Sequence, residues 1–110
     1  MKKLYRVRKN EEFTRIIQEK HSISSACFAV YYSDKKEEHS RVGISVSKKL
    51  GDAVDRNRIK RQVREMIKAL IDFETYPKDI IVIVRTSYLK KDYQNNLFDL
   101  EKLTKKAIIE

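Results

Sequence analysis

The sequence holds one cysteine, one proline and two glycines in 110 residues. A lone Cys27 excludes a disulfide framework. So little proline and glycine leaves no room for linkers, so one compact domain is expected over residues 1–110. At this length about two-thirds of the unfolded surface can be buried, enough for a core without staples. No stretch approaches ~18 uninterrupted apolar residues, so no transmembrane helix is expected. The N-terminus, MKKLYRVRKN, is basic with no apolar stretch inside it, unlike a signal peptide. A cytoplasmic protein without a membrane partner is the expectation. Also missing is any catalytic constellation. His21 and His39 stand alone in loop-like stretches, and Asp34, Glu37 and Glu38 form a charged loop. Cys27 lies in an apolar run and reads as buried and inert. No Gly-rich phosphate cradle, HExxH or metal-ligand cluster is present. A nuclease working through its own side chains needs an acid/base pair or a metal cage, and neither is visible.

What the chain has is positive charge, and it is concentrated. The net charge is +9. Between Arg41 and Lys68 nine cationic residues meet three carboxylates, so this quarter of the chain carries six of those nine charges. Net charge speaks of partners rather than fold, and a concentrated basic patch is the footprint of a nucleic-acid binder.

The elements follow from periodicity. Asn10 and the EEFTRIIQEK after it predict a cap and a short helix, with Phe13, Ile16 and Ile17 on one face. His21 to Ser25 is a polar break. Ala26 to Tyr32 is β-branched and aromatic, and predicts a strand. That strand places Cys27, Ala29 and Tyr31 on one face and Phe28, Val30 and Tyr32 on the other. Arg41 to Ser47 alternates, with Val42, Ile44 and Val46 opposite Gly43, Ser45 and Ser47. The second face is small and polar, which suits either a close backbone approach or simple packing of another element. Asp52 caps a long helix, with Asp55 three residues on. Asp79 to Val84 is continuously apolar, like a strand covered on both sides. Asp92 caps a last helix to about Ile109, with Leu97, Leu100, Leu103 and Ala107 along one side. A helix between the second and third strands requires a parallel pair in the sheet.

The helix AVDRNRIKRQVREMIKALI at 53–71 carries the functional signal. At about 100° per residue, Ile59, Val63, Met66, Ile67 and Leu70 form its buried stripe. Asn57, Lys60, Arg61, Arg64 and Lys68 fill the adjoining flank. Arg61–Glu65 is the one acid–base pair at i,i+4 spacing here. Cations beside a core stripe are pre-ordered by packing, and Arg forks onto phosphate with two parallel bonds. No helix-turn-helix surrounds this helix. Phe13, Phe28, Tyr31 and Tyr32 suit RNA or single strands, whose splayed bases stack on aromatics, although Phe28 reads as core. A small-residue groove with one aromatic platform would seat a single strand.

These residues also carry a family pattern. RVGISVSKKLGDAVDRNRIKRQVRE at 41–65 resembles the signature of the bacterial ribonuclease P protein subunit: V-G-x-S-V-S-K-K, then G-x-A-V, then R-N-R-x-K-R. NEEF at 10–13, CFAVYY and DIIVIV match its other elements in order. The resemblance implies an α+β, two-layer sandwich: a mixed sheet of about four strands, a left-handed β–α–β crossover, and helices on one face. Ribosomal-protein domains and a domain of elongation factor G are similar. It implies a holoenzyme that removes the 5′ leader of precursor tRNA, with hydrolysis performed by a catalytic RNA using Mg²⁺. The protein would need no obligate protein partner. Arg56, Asn57, Arg58, Lys60, Arg61 and Arg64, with Lys68 beside them, match the catalytic-RNA surface. Phe13 and Tyr31 match a leader cleft between the sheet and the first helix, walled by Ser45 and Ser47, with Lys48 and Lys49 in the turn beside it. Ile17 stands where many members have a second aromatic, and keeps that point apolar. The alternative is a ribosomal or RNA-chaperone module with no processing role.

Overall fold

The computed structural model describes residues 1–109. Three helices and four strands follow in the order α1 (Asn10–Gln18), β1 (Ser22–Ser24), β2 (Phe28–Asp34), β3 (Val42–Val46), α2 (Ala53–Leu70), β4 (Lys78–Val84) and α3 (Tyr93–Ile109). Short 3-10 turns occupy Lys3–Tyr5, Lys48–Leu50 and Thr86–Lys90. The strands form one mixed sheet ordered β1-β2-β4-β3. β4 runs antiparallel to β2 and parallel to β3, with Val42 opposite Ile80 and Val46 opposite Val84. The expected α+β class and mixed four-stranded sheet are found. The fourth strand is β1, inside the stretch read as a polar break. Its exposed Ser22 and Ser24 give no hydrophobic signal, and backbone pairing with β2 makes the strand.

The local signals explain α2. Asp52 accepts from the Asp55 N–H at 3.0 Å, and the Asp55 carboxylate accepts from the Asp52 N–H at 3.4 Å, closing a capping box. Gly51 leads in with φ +134°, and a Cβ there would meet the Asp55 carboxylate. Ile59, Val63, Met66 and Ile67 are buried as their spacing requires, each contributing roughly 1.5–3 kcal/mol by leaving water. Asp92 caps α3 by accepting from the Asn95 N–H at 2.8 Å. Asn10 does not cap α1: it is already helical, and Lys9 before it offers no side-chain bond.

The sheet has two unlike faces. Phe28, Val30, Val42, Val46, Ile80, Val82 and Val84 pack with α2 and α3 in the main core. On the reverse face Val7, Ile16 and Ile81 are buried, with Phe13, Ile17, Tyr31 and Ile83 packed against them. One detail of the expected sandwich is therefore corrected: the helices do not all lie on one face, because α1 covers the reverse. Helical periodicity specifies that a face is buried, not which side of a sheet receives it. Cys27 is corrected likewise. It precedes β2 and packs in the main core beside Phe28, so it does not share the face of Ala29 and Tyr31.

α1 is held onto the sheet by a close contact and an ion pair. A Cβ on Gly43 would lie 2.6 Å from Phe13 Cζ and 2.8 Å from Ile81 Cδ1. At Gly43, then, the small-residue face is a packing requirement. Arg41 donates to Glu12 of α1 at 2.9 Å and lies 3.6 Å from the fully buried Asp79. Burial alone would lower the Arg41 guanidinium, but Glu12 and Asp79 outweigh it and hold it above its ordinary range.

Gly43→Ala is expected to cost about 1–3 kcal/mol of stability, because neither the ring nor the sheet can yield freely. Urea unfolding checks this. An unchanged midpoint would mean that Phe13 is not seated on Gly43.

Candidate nucleic-acid interface

Because α1 is only nine residues long, it leaves Ala29, Tyr31 and Ile83 on the reverse face of the sheet half-covered and Ser45 exposed. Phe13 and Ile17 on α1 and Tyr31 on β2 are half-buried along its border, as is Ile83 on β4. Farther out on β3, Ser45 is exposed, and Ser47 is exposed just past its end. Lys48 and Lys49 follow in the 3-10 turn, both exposed, anchored by the buried Leu50. The structure thus brings the seven expected leader-cleft residues into one region: an apolar and aromatic inner wall with small hydroxyls and two ammonium groups at one end. Ile17 lies beside Phe13 and keeps the wall apolar there.

β3 is an edge strand, and α2 packs along it. Lys60 and Arg64 on the flank of α2 are half-buried, whereas Asn57, Arg61 and Lys68 are exposed. Arg64 borders a small cavity with Arg6, Phe13, Gly43 and Ile44, so this flank faces the open edge of β3. The Arg64 guanidinium is pushed below its ordinary pKa by burial and then by the nearby Arg6 charge, yet it stays charged at neutral pH. Among the described residues neither arginine has a carboxylate partner within 4 Å. Arg56 begins the series, its Nε 3.4 Å from the Asp52 carbonyl. Arg58 is different. It lies on the other side of α2, 3.8 Å from Asp55, in a cavity with Tyr88 and Gln62.

The sequence from end to end, and this geometry, match one family. Residues 1–108 fit the family model for ribonuclease P. A ribonuclease P protein component of Mycoplasma capricolum is 47% identical over 88 residues, covering 79% of this chain and 81% of that one. The Staphylococcus aureus protein component is 51% identical over 86 residues, covering 77% and 74%. The chain belongs to the ribonuclease P protein family. A solved structure of the Staphylococcus aureus ribonuclease P protein superposes with a TM-score of 0.82 at 42% identity, covering 94% of each chain. The ribonuclease P protein of Thermotoga maritima gives 0.78 at 31% identity, covering 92% of this chain and 96% of that one.

For a ribonuclease P protein the concentration of unpaired cations is the physical point, and sequence reading missed part of it. Lys3, Arg6, Arg8 and Lys9 border a concavity of about 350 Å³, which also holds Glu37 and the Arg41–Glu12 ion pair. Arg6 is held there because its backbone bridges to Val42 in parallel register and its Nη2 donates to the Met1 carbonyl at 3.0 Å. The available signal was MKKLYRVRKN, which the sequence shows only as a basic run. No periodicity announces that this segment pairs with β3 and lines up with α2.

Such crowding is self-repulsive, so an anion that binds the folded chain stabilises it by mass action. Sulfate is expected to raise the melting temperature well beyond sodium chloride of equal ionic strength. Equal shifts in the two salts would show general screening and no anion site.

Proposed function

We propose that the chain is the protein subunit of ribonuclease P, a single RNA-binding domain that binds the catalytic RNA and the 5′ leader of precursor tRNA. Ribonuclease P is an endoribonuclease in which the RNA subunit is catalytic and the 5′ leader of tRNA is removed. The observation that carries the division of labour is the pair of surfaces meeting at β3: a cationic flank on α2 and an aromatic cleft on the reverse face of the sheet.

On this reading Arg56, Asn57, Lys60, Arg61, Arg64 and Lys68 meet the phosphates of the catalytic RNA, with Arg58 reaching it from the other side of α2. The guanidinium fork suits two phosphate oxygens at once, and packing against β3 has already restricted Lys60 and Arg64. The leader lies across Phe13, Ile17 and Tyr31, where an unpaired base can stack on an aromatic ring at roughly 1–3 kcal/mol per base. Ser45 and Ser47 offer hydroxyls to the strand, and Lys48 and Lys49 meet its phosphates. By gripping both RNAs, the protein places the cleavage point without contributing a reacting group. Mg²⁺ supplies charge neutralisation and an activated water in such hydrolysis. On this reading the ion is held mainly through the RNA of the holoenzyme. No helix of the described residues is long and apolar enough to cross a membrane, and the cytoplasm, where precursor tRNA is made, is the proposed location. A ribosomal or RNA-chaperone role is not favoured, because the ribonuclease P match spans residues 1–108.

The test is reconstitution. The chain is mixed with precursor tRNA and Mg²⁺, with and without a cognate catalytic RNA. Leader removal that needs the RNA and is enhanced by the protein supports the reading. Cleavage by the protein alone, or no effect of the protein, contradicts it. The double variant Arg61→Ala, Arg64→Ala is expected to bind the catalytic RNA at least about tenfold more weakly, given roughly 1.5–3 kcal/mol for each charged hydrogen bond. Its circular dichroism should be unchanged, because neither side chain belongs to the core.

A further inference from the structure

Arg58 has chemistry that the cleft and the cationic flank do not absorb. It borders a cavity of about 240 Å³ where α2 meets the 3-10 turn and the start of α3. Lys91 is a second cation at its border. Leu89 and Tyr93 line it too, although they are 53% and 39% exposed, a cost in water that a solvated loop does not require. The interior is ordered and polar. The Tyr88 hydroxyl donates to Gln62 Oε1 at 2.7 Å, and the Tyr88 ring packs edge-on against Phe28 at 5.7 Å. Asn96, 1% exposed, spends its Nδ2 on the carbonyls of Tyr88 and Lys91, at 3.1 and 3.4 Å. Its Oδ1 remains buried with no partner among the described residues. Two cations, an exposed aromatic and an exposed aliphatic side chain around one hollow match the parts of a nucleotide: phosphate, base face and base edge.

We propose that this cavity seats one unstacked nucleotide of the catalytic RNA, its phosphate on Arg58 and Lys91 and its base against Tyr93 and Leu89. The inference rests on the ribonuclease P reading above. The leader is excluded as the occupant by position, because the sheet separates this cavity, on the α2 and α3 face, from the cleft under α1. A base carries N–H groups that an unfilled acceptor such as Asn96 Oδ1 can attract, whereas a bare phosphate carries none. α2 is then held by RNA from both sides, through Lys60 and Arg64 on one flank and through Arg58 on the other.

The full-length chain is titrated with its cognate catalytic RNA, with no precursor tRNA present. Tyr93→Ala combined with Leu89→Ala is expected to weaken binding about fivefold or more, the low end for one stacked base. The dependence of affinity on salt should stay the same, since no phosphate contact is removed. The melting temperature should not change, and Tyr93→Phe alone should bind like the wild type. A double variant that binds as tightly as the wild type overturns the proposal. So does a loss that Tyr93→Ala shares with Tyr93→Phe, which would point to the hydroxyl and not the ring face. If the wild type itself fails to bind the catalytic RNA, the ribonuclease P reading fails first.

Discussion

β3 and β4 run parallel, so no hairpin can join them. The chain must leave the sheet at Val46, cross one face as α2 and return at Lys78. That crossover places an 18-residue helix against an edge strand, with its apolar stripe on the sheet and its next flank over the strand's free edge. Lys60 and Arg64 on that flank are half-buried and cannot spread into solvent as they would on an isolated helix, while Arg61 and Lys68 are exposed beside them. The N-terminal segment adds to the crowding, because its pairing with Val42 brings Arg6 to Arg64. Like charges brought together without carboxylates destabilise the free protein, and a polyanion offsets that cost. The fold and the need for RNA have the same origin.

The reverse face of the sheet obeys a second constraint, which is coverage. Nine residues of α1 cannot hide four strands. Phe13 sits on Gly43, Arg41 ties Glu12 to the buried Asp79, and beyond that contact the sheet is only partly covered. Ile83 and Tyr31 are left half-covered where a buried face would hide them. A surface that is apolar, aromatic and bordered by lysines is a poor solvent face and a good seat for single-stranded RNA. On the proposed reading the sheet is a partition, with the leader on one side and helix-borne RNA contacts on the other and along the edge.

Much of this was legible in the sequence, where period and chemistry spoke together. The alternation of 41–47, the Asp52 and Asp55 capping box, the α2 stripe and the doubly covered β4 all follow from local rules that tertiary packing did not override. What was not legible shares one cause: it depends on how elements are placed relative to one another. β1 is polar and exists through its ladder alone. Cys27 has a strand-like neighbourhood, but the strand begins one residue later. Whether α1 lies over or under the sheet is not encoded in its own spacing. Gly43 belonged to a small-residue face that left a groove and simple packing both open, and it is the bed for Phe13, while Ser45 and Ser47 stay exposed. Arg58 falls outside the cationic flank on the helical wheel, yet the family motif R-N-R groups it with Arg56, and the structure separates the two flanks.

On the proposed reading the partly covered face beside α1 carries the leader. Cys27 is the sole cysteine and is fully buried, so Ser45→Cys supplies one accessible thiol at the exposed end of the cleft. A photoactivatable crosslinker on that thiol, in the complex of protein, catalytic RNA and precursor tRNA, reports which nucleotide lies there. Crosslinks to the 5′ leader, lost when the leader is shortened, are the expected result. Crosslinks confined to the catalytic RNA, unchanged by removal of the leader, would contradict it.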